Sequence, residues 1–197
     1  MTRIIGGSAG GRRLQTPPGE ATRPTTDRVR EALFSSIEAW WGSTGGLAGT
    51  RFLDLYAGSG AIGLEALSRG ADAVTLVESD RRTAALIQAN ARTLGFAADV
   101  RSASVRTTLD APPESPYDVV FSDPPYPLSD EALAEDLVQL QDWLAPDALV
   151  VVERSRRSPE PAWPPLIAAR QAKRYGETTL WYGRADLPDD LAVPEET

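Results

Sequence analysis

Asp54-Leu-Tyr-Ala-Gly-Ser-Gly60 and Asp123-Pro-Pro-Tyr126 are the two segments of this chain whose residue types and spacing suit chemistry. Gly58, Gly60 and Gly63 fall in the G-x-G-x-x-G spacing of a nucleotide-binding turn, and Glu78 follows Gly58 by 20 residues. Glycines let the backbone approach a ligand, and an acid at that distance accepts hydrogen bonds from both hydroxyls of a ribose. That much suits a nicotinamide cofactor and S-adenosylmethionine equally. Asp54 favours the second: a carboxylate just before the glycines repels a pyrophosphate but attracts the ammonium of a methionine moiety, directly or through water.

The second segment follows the apolar run Tyr117-Asp-Val-Val-Phe-Ser122 and joins a carboxylate, two stiff prolines and an aromatic ring. An exocyclic base amine is a poor nucleophile because its lone pair is delocalised into the ring. The Asp123 carboxylate and the Pro124 carbonyl can accept its two N–H bonds and aim the nitrogen at an electrophilic methyl group. Tyr126 can stack on an extruded base, a contact worth roughly 1 to 3 kcal/mol on single-strand platforms. No metal is required, because a sulfonium already carries the charge that activates its methyl group. Positioning alone can supply on the order of 7 to 11 kcal/mol. Together the two segments point to methyl transfer to a nucleobase amine.

Elements must bring these segments together, and the pattern from Arg51 onward supplies them. Strands are expected at 51–55, 73–77, 99–102 (a weaker one), 117–122 and 148–153, alternating with helices at 61–69, 80–94 and 130–144. The last helix shows Leu133, Leu137, Leu140 and Leu144 at helical spacing behind Ser129 as cap. Such alternation implies right-handed crossovers and a parallel sheet, with both segments at its carboxyl edge. Residues 158–165 read as a proline-rich loop, and 168–183 as an antiparallel strand pair turning at Gly176. Thr25 or Thr26 caps a helix running to about Trp41, with Val29, Leu33, Ile37 and Trp40 on one face. Before it, residues 3–14 read as a hairpin appendage around a glycine-rich turn, followed by a linker at Pro17, Pro18, Gly19 and Pro24. The expected division is a basic hairpin and linker at 1–24, the main domain at 25–184 and an acidic disordered tail at 185–197.

Composition narrows the chemistry further. The 197 residues include no Cys and no His, which removes disulfides, zinc centres, Ser-His-Asp triads and Cys-His nucleophiles together. The cofactor must bring the reactivity. A formal net charge of −8 argues against nucleic acid as a bulk property, but residues 1–30 carry a local +4. Arg outnumbers Lys by 19 to one, and guanidinium suits bidentate phosphate contacts. No apolar run reaches the roughly 18 residues of a membrane span, so a soluble cytoplasmic protein is expected.

Arg3-Ile-Ile-Gly-Gly7, Gly10-Gly-Arg-Arg-Leu14, Arg23-Pro-Thr-Thr-Asp-Arg-Val-Arg-Glu-Ala-Leu-Phe34, Asp54 to Gly60, Val77-Glu78 and Asp123 to Tyr126 together resemble the bacterial 16S ribosomal RNA guanine-N2 methyltransferases of the RsmD type. The resemblance implies an α/β fold of the Rossmann-like class I methyltransferase kind, with a seven-stranded, mostly parallel sheet and helices on both faces. It implies S-adenosylmethionine as donor, without metal, held by Asp54, Tyr56, Gly58, Ser59, Gly60, Glu78 and Ser104. Asp123, Pro124 and Tyr126 become the catalytic residues. The implied substrate is 16S ribosomal RNA within the small subunit or a late assembly intermediate, met by a monomer. The resemblance assigns the hairpin to RNA, with Arg12 and Arg13 as leading phosphate contacts beside Arg3 and Arg28; Arg28 and Arg30 are also placed to serve the cofactor carboxylate or a local acid such as Glu31. One departure stands out: Arg101-Ser-Ala-Ser-Val105 lacks the acid that many such enzymes place after the third strand for adenine, leaving Ser102, Ser104 or backbone.

Two other readings compete. A nicotinamide-dependent oxidoreductase shares the glycine pattern and Glu78 but lacks a proton donor of the Tyr-x-x-x-Lys kind and leaves Asp123 to Tyr126 without a task. A non-enzymatic assembly factor would need only the basic hairpin.

Overall fold

The computed structural model describes residues 2–17, 26–41 and 46–186. Seven strands form one sheet. β1 (Thr2–Arg3) and β2 (Arg13–Leu14) pair separately, and α1 (Asp27–Trp40) leads into β3 (Arg51–Leu55). Then come α2 (Ala61–Ser68), β4 (Ala73–Val77), α3 (Arg81–Leu94), β5 (Asp99–Arg101), α4 (Val105–Leu109), β6 (Tyr117–Ser122), α5 (Asp130–Leu140), β7 (Leu144–Ser155), β8 (Ile167–Tyr175) and β9 (Thr178–Ala185). The sheet order is β5-β4-β3-β6-β7-β9-β8, parallel from β5 to β7 and antiparallel across β9 and β8.

The parallel strands are buried on both faces because helices cover both, which is why they read as continuous apolar runs. On one face, Leu33, Phe34 and Ile37 of α1, Ile62 of α2 and Ile87 of α3 pack over Phe52, Leu76, Phe121 and Val151. On the other, Val105, Leu109, Leu133, Leu137 and Leu140 cover Leu53, Leu55, Val120 and Val150. Side-chain caps set the starts of α1, α3, α4 and α5, where Thr26, Asp80, Ser104 and Ser129 accept from the third residue on.

Three local readings change. The helix expected at 130–144 ends at Leu140, and a 3₁₀ turn over Gln141–Trp143 delivers Leu144 into β7, next to the helix-breaking Pro146. Leu144 is buried as its spacing implied, but it arrives there on a strand. A short helix, α4, was not anticipated. The N-terminal hairpin is no appendage: Ile4 is fully buried among Leu14, Leu64 and Ala91. Its turn is clamped to α2, with the Ile5 and Gly6 amides donating to Glu65 at 2.6 and 2.8 Å and the Ala9 amide to Ser68 Oγ at 2.9 Å. Pro18, Gly19 and Pro24 of the expected linker, Thr25, Arg23 and the expected tail beyond Asp186 lie outside the described residues.

Candidate active site

β3 and β6 are parallel neighbours with Leu55 opposite Ser122, and the Asp123 amide donates to the Leu55 carbonyl at 3.4 Å. The glycine turn and the Asp-Pro-Pro-Tyr segment therefore leave the sheet side by side, at the carboxyl edge where open α/β sheets bind ligands. One cavity of about 820 Å³ is lined by both. Asp54, Tyr56, Gly58, Ser59, Glu78 and Ser104 contribute to its wall, as do Asp123, Pro124 and Tyr126. Gly60 does not. It caps α2 from the left-handed region at φ 77°, where an added Cβ would lie 2.9 Å from Ile87 Cγ2. Its task is to turn the chain, while Gly58 at φ 52° has open space where a Cβ would be.

Glu78 ties the turn to the end of β4: its Oε2 accepts from the Gly58 amide at 2.9 Å and its Oε1 from the Asp80 amide at 2.8 Å. Asp54 is fully buried and accepts from the Gly63 amide at 2.8 Å. Burial pushes its carboxyl up to about 7, with Glu78 adding to the rise and the Gly63 bond opposing it. A cation arriving beside Asp54 would restore its charge. Tyr56 sits at φ 61° and donates its hydroxyl to Asp136, a buried residue of α5. Burial and that bond raise the Tyr56 phenol, keeping it a donor. Ser104 caps α4 and stands with Ala103 and Val105 on the cavity wall; Ser102 does not reach it.

On the other side Pro124 is buried, and Tyr126 projects with 79% of its surface exposed. Asp123 opens onto the cavity but has protein around its remaining sides. Its surface is exposed toward the cavity; desolvation by the protein packed around its other sides, then the neighbouring Glu153 and Asp54, raises its carboxyl well above the usual range, against the pull of Arg154. Glu153 itself is buried and on the cavity wall.

The arginines divide. Arg28 is exposed at the cavity mouth. Arg3 pairs with Asp27 at 2.9 Å, and Arg12 donates to the Thr93 carbonyl at 3.1 Å, near the end of α3 remote from the cavity. Arg13 is exposed on β2. Arg30, only 2% exposed, donates from Nη2 to the Arg3 carbonyl at 2.7 Å and to Asp27 at 2.8 Å, so its local acid is Asp27 rather than Glu31. Among the described residues its Nε and Nη1 have no partner, although Arg30 belongs to the cavity wall.

These groups fit S-adenosylmethionine: Glu78 for the sugar, Asp54 for the ammonium and the two unsatisfied Arg30 nitrogens for a carboxylate. Among the described residues no group of three or more His, Cys, Asp or Glu could hold a metal ion, and no helix is long and apolar enough to cross a membrane. Arg30 was named from sequence as placed to serve the cofactor carboxylate, whereas Glu153, Arg154 and Arg174 were not singled out. The signal for Arg30 was its place at the start of a capped helix; the other three reach the cavity through the register of β7 and its neighbours.

The model for the family described as "Conserved hypothetical protein 95" matches residues 2–184. The ribosomal RNA small subunit methyltransferase D of Escherichia coli strain K12 is 38% identical over 180 residues, covering 89% of this chain and 85% of that protein. The Haemophilus influenzae protein of the same name is 37% identical over 164 residues, 80% of each. The solved structure of yhhF from Escherichia coli superposes with a TM-score of 0.82 at 34% identity, covering 95% of this chain and 99% of that one. A match over nearly the whole chain, in sequence and in fold, places this protein in the family of the ribosomal RNA small subunit methyltransferases D.

Proposed function

We propose that this protein methylates the exocyclic N2 amine of one guanine in 16S ribosomal RNA, using S-adenosylmethionine. The observation that carries the reading is the juxtaposition of β3 and β6, whose ends supply a donor site and an amine site to one cavity. The donor supplies a methyl group made electrophilic by its sulfonium. Asp54, Gly58, Ser59, Glu78 and Arg30 hold and orient it, with Tyr56 and Ser104 completing the wall.

The Asp123 carboxylate and Pro124 carbonyl accept the two N2–H bonds of guanine. As the nitrogen lone pair is committed to the new bond and the methyl group's bond to sulfur breaks, these protons become more acidic, so the carboxylate bond strengthens where it helps most and the proton that N2 gives up passes to Asp123. Tyr126, held out from the surface, stacks on the extruded base. Arg28 at the mouth contacts phosphate; Arg3, Arg12 and Arg13 extend that contact along the hairpin face. The substrate is the small subunit or a late assembly intermediate, met in the cytoplasm by a monomer built from a hairpin segment and a methyltransferase domain.

Incubating small subunits that lack the modification with labelled donor, then digesting the RNA for mass spectrometry, tests this. N2-methylguanine is expected. Label on adenine N6 would refute the base assignment, and absence of transfer to any RNA would refute the activity.

A further inference from the structure

Glu153 is a second carboxylate at the amine site, and none of the roles above uses it. β6 and β7 are parallel with Ser122 opposite Val152, so the next residues, Asp123 and Glu153, stand side by side at about the 4.8 Å strand spacing. Side chains alternate along strands, and Phe121 and Val151, two residues earlier, both pack under α1. Asp54, aligned with Phe121, has the same parity. All three carboxylates thus belong to the α1 face of the sheet, in the order Asp54, Asp123, Glu153. Glu153 is the strand end farthest of the three from the glycine turn, toward β9 and β8, whose Arg174 also lines the cavity. A group there meets the acceptor base rather than the donor.

Two acids on neighbouring strand ends call for a ligand that presents more than one donor. Guanine does so: N1–H lies next to the N2 amine on the same edge. Adenine, beside its N6 amine, presents a bare N1 acceptor that a carboxylate repels. A carboxylate has about four lone-pair directions, so accepting N1–H is compatible with its other contacts in the protein.

We propose that Glu153 accepts the N1–H of the target guanine and so selects guanine over bases whose neighbouring ring nitrogen is bare. The proposal rests on the N2-guanine reading and deepens it. A site built to bond a substrate N–H rejects an analogue lacking it far more strongly than shape alone does, on the order of 100-fold or more.

The test uses the full-length protein and small subunits reconstituted with either guanine or 2-aminopurine at the methylated position. 2-Aminopurine keeps the 2-amine but has a bare N1. The wild-type protein should lose about 100-fold in kcat/KM on 2-aminopurine. Glu153→Gln, whose amide can donate to that nitrogen, should lose roughly tenfold on guanine and shift the guanine-to-2-aminopurine ratio by at least tenfold toward the analogue. S-adenosylhomocysteine affinity, measured by calorimetry, should stay within about twofold. Equal wild-type rates on both bases would overturn the proposal, as would a Gln variant that is slower with an unchanged ratio, since that marks a merely structural role. Failure of the wild-type protein to methylate the guanine subunits would instead refute the N2-guanine reading.

Discussion

Replacing Asp54 by Asn should make the ligand-free protein relatively more stable as pH rises, although Asp54 stands in the donor site. Asp54 is buried with the Gly63 amide as its one hydrogen-bond donor among the described residues, and its carboxyl is raised from 3.8 to about 7. The native state therefore holds a proton that the unfolded chain has already released between those two values. Stability contributed by the protonated form is full below pH 3.8 and is lost as pH climbs to about 7. At about 1.4 kcal/mol per unit, the ionised carboxylate costs on the order of 4 kcal/mol by pH 8. Asn keeps an acceptor for Gly63 but buries an NH₂ group, a penalty of about 1 to 3 kcal/mol that does not vary with pH. The pH dependence of the difference is thus diagnostic, whatever its absolute sign. In urea titrations of both proteins at pH 5, 6, 7 and 8, the stability of D54N minus that of wild type should grow by roughly 2 to 3 kcal/mol and flatten above pH 7. A difference that is flat across this range would refute the claim that Asp54 is held uncharged until a cation reaches it.

The raised Asp123 carboxyl must be ionised to accept amine protons, so the wild-type kcat/KM should fall as pH drops through a value well above the ordinary carboxylate range. Asp123→Asn should be slower and lack that limb; a variant retaining it would assign the titration elsewhere. Tyr126→Ala should cost about 5- to 150-fold in kcat/KM, the equivalent of roughly 1 to 3 kcal/mol of stacking, with thermal stability unchanged because the ring is exposed. A fall in melting temperature matching the loss of activity would contradict that role. Arg30→Gln should weaken S-adenosylhomocysteine binding by about 10- to 150-fold in calorimetry, as expected for loss of a charged hydrogen bond. Methylthioadenosine, which has no carboxylate, should bind both proteins alike; equal weakening of both ligands would make Arg30 a purely structural residue.

The sheet was readable because its strands are buried on both faces: runs such as Phe52-Leu53 and Val119-Val120-Phe121 admit little else between turn-forming residues. The two motifs were readable for a related reason, since each is contiguous and each directly follows a strand. What stayed hidden depends on contacts between distant residues. Nothing in Ile4-Ile-Gly-Gly7 announces that two of its amides will converge on Glu65, some 60 residues on. Likewise Glu153 is one acid among many until β7 is set against β6 with Val152 opposite Ser122; a slip of one residue would turn it to the α5 face. The end of α5 was misplaced because Leu144 satisfies both helical spacing and strand burial, and only Pro146 distinguishes them.

The hairpin's contacts bear on how its charge should be understood. Arg30 reaches back to the Arg3 carbonyl, Glu65 receives Ile5 and Gly6, and Arg69 joins Glu65 to Glu38 at 2.9 and 3.0 Å. These contacts tie the hairpin to α1 and α2, two of the helices whose amino-terminal turns help wall the cavity. Glu65 is inaccessible to solvent, and a buried carboxylate is tolerable only because two amides and a guanidinium meet it. The first fifteen residues thus have a task that needs no RNA: they fix α1 against α2, and with them the unsatisfied nitrogens of Arg30 against the glycine turn. Arg12 is tied to the Thr93 carbonyl, whereas Arg13 stands exposed on the outer side of that brace, so the basic character of the segment and its packing are separable properties, and substitutions at Arg13 report on the first without disturbing the second.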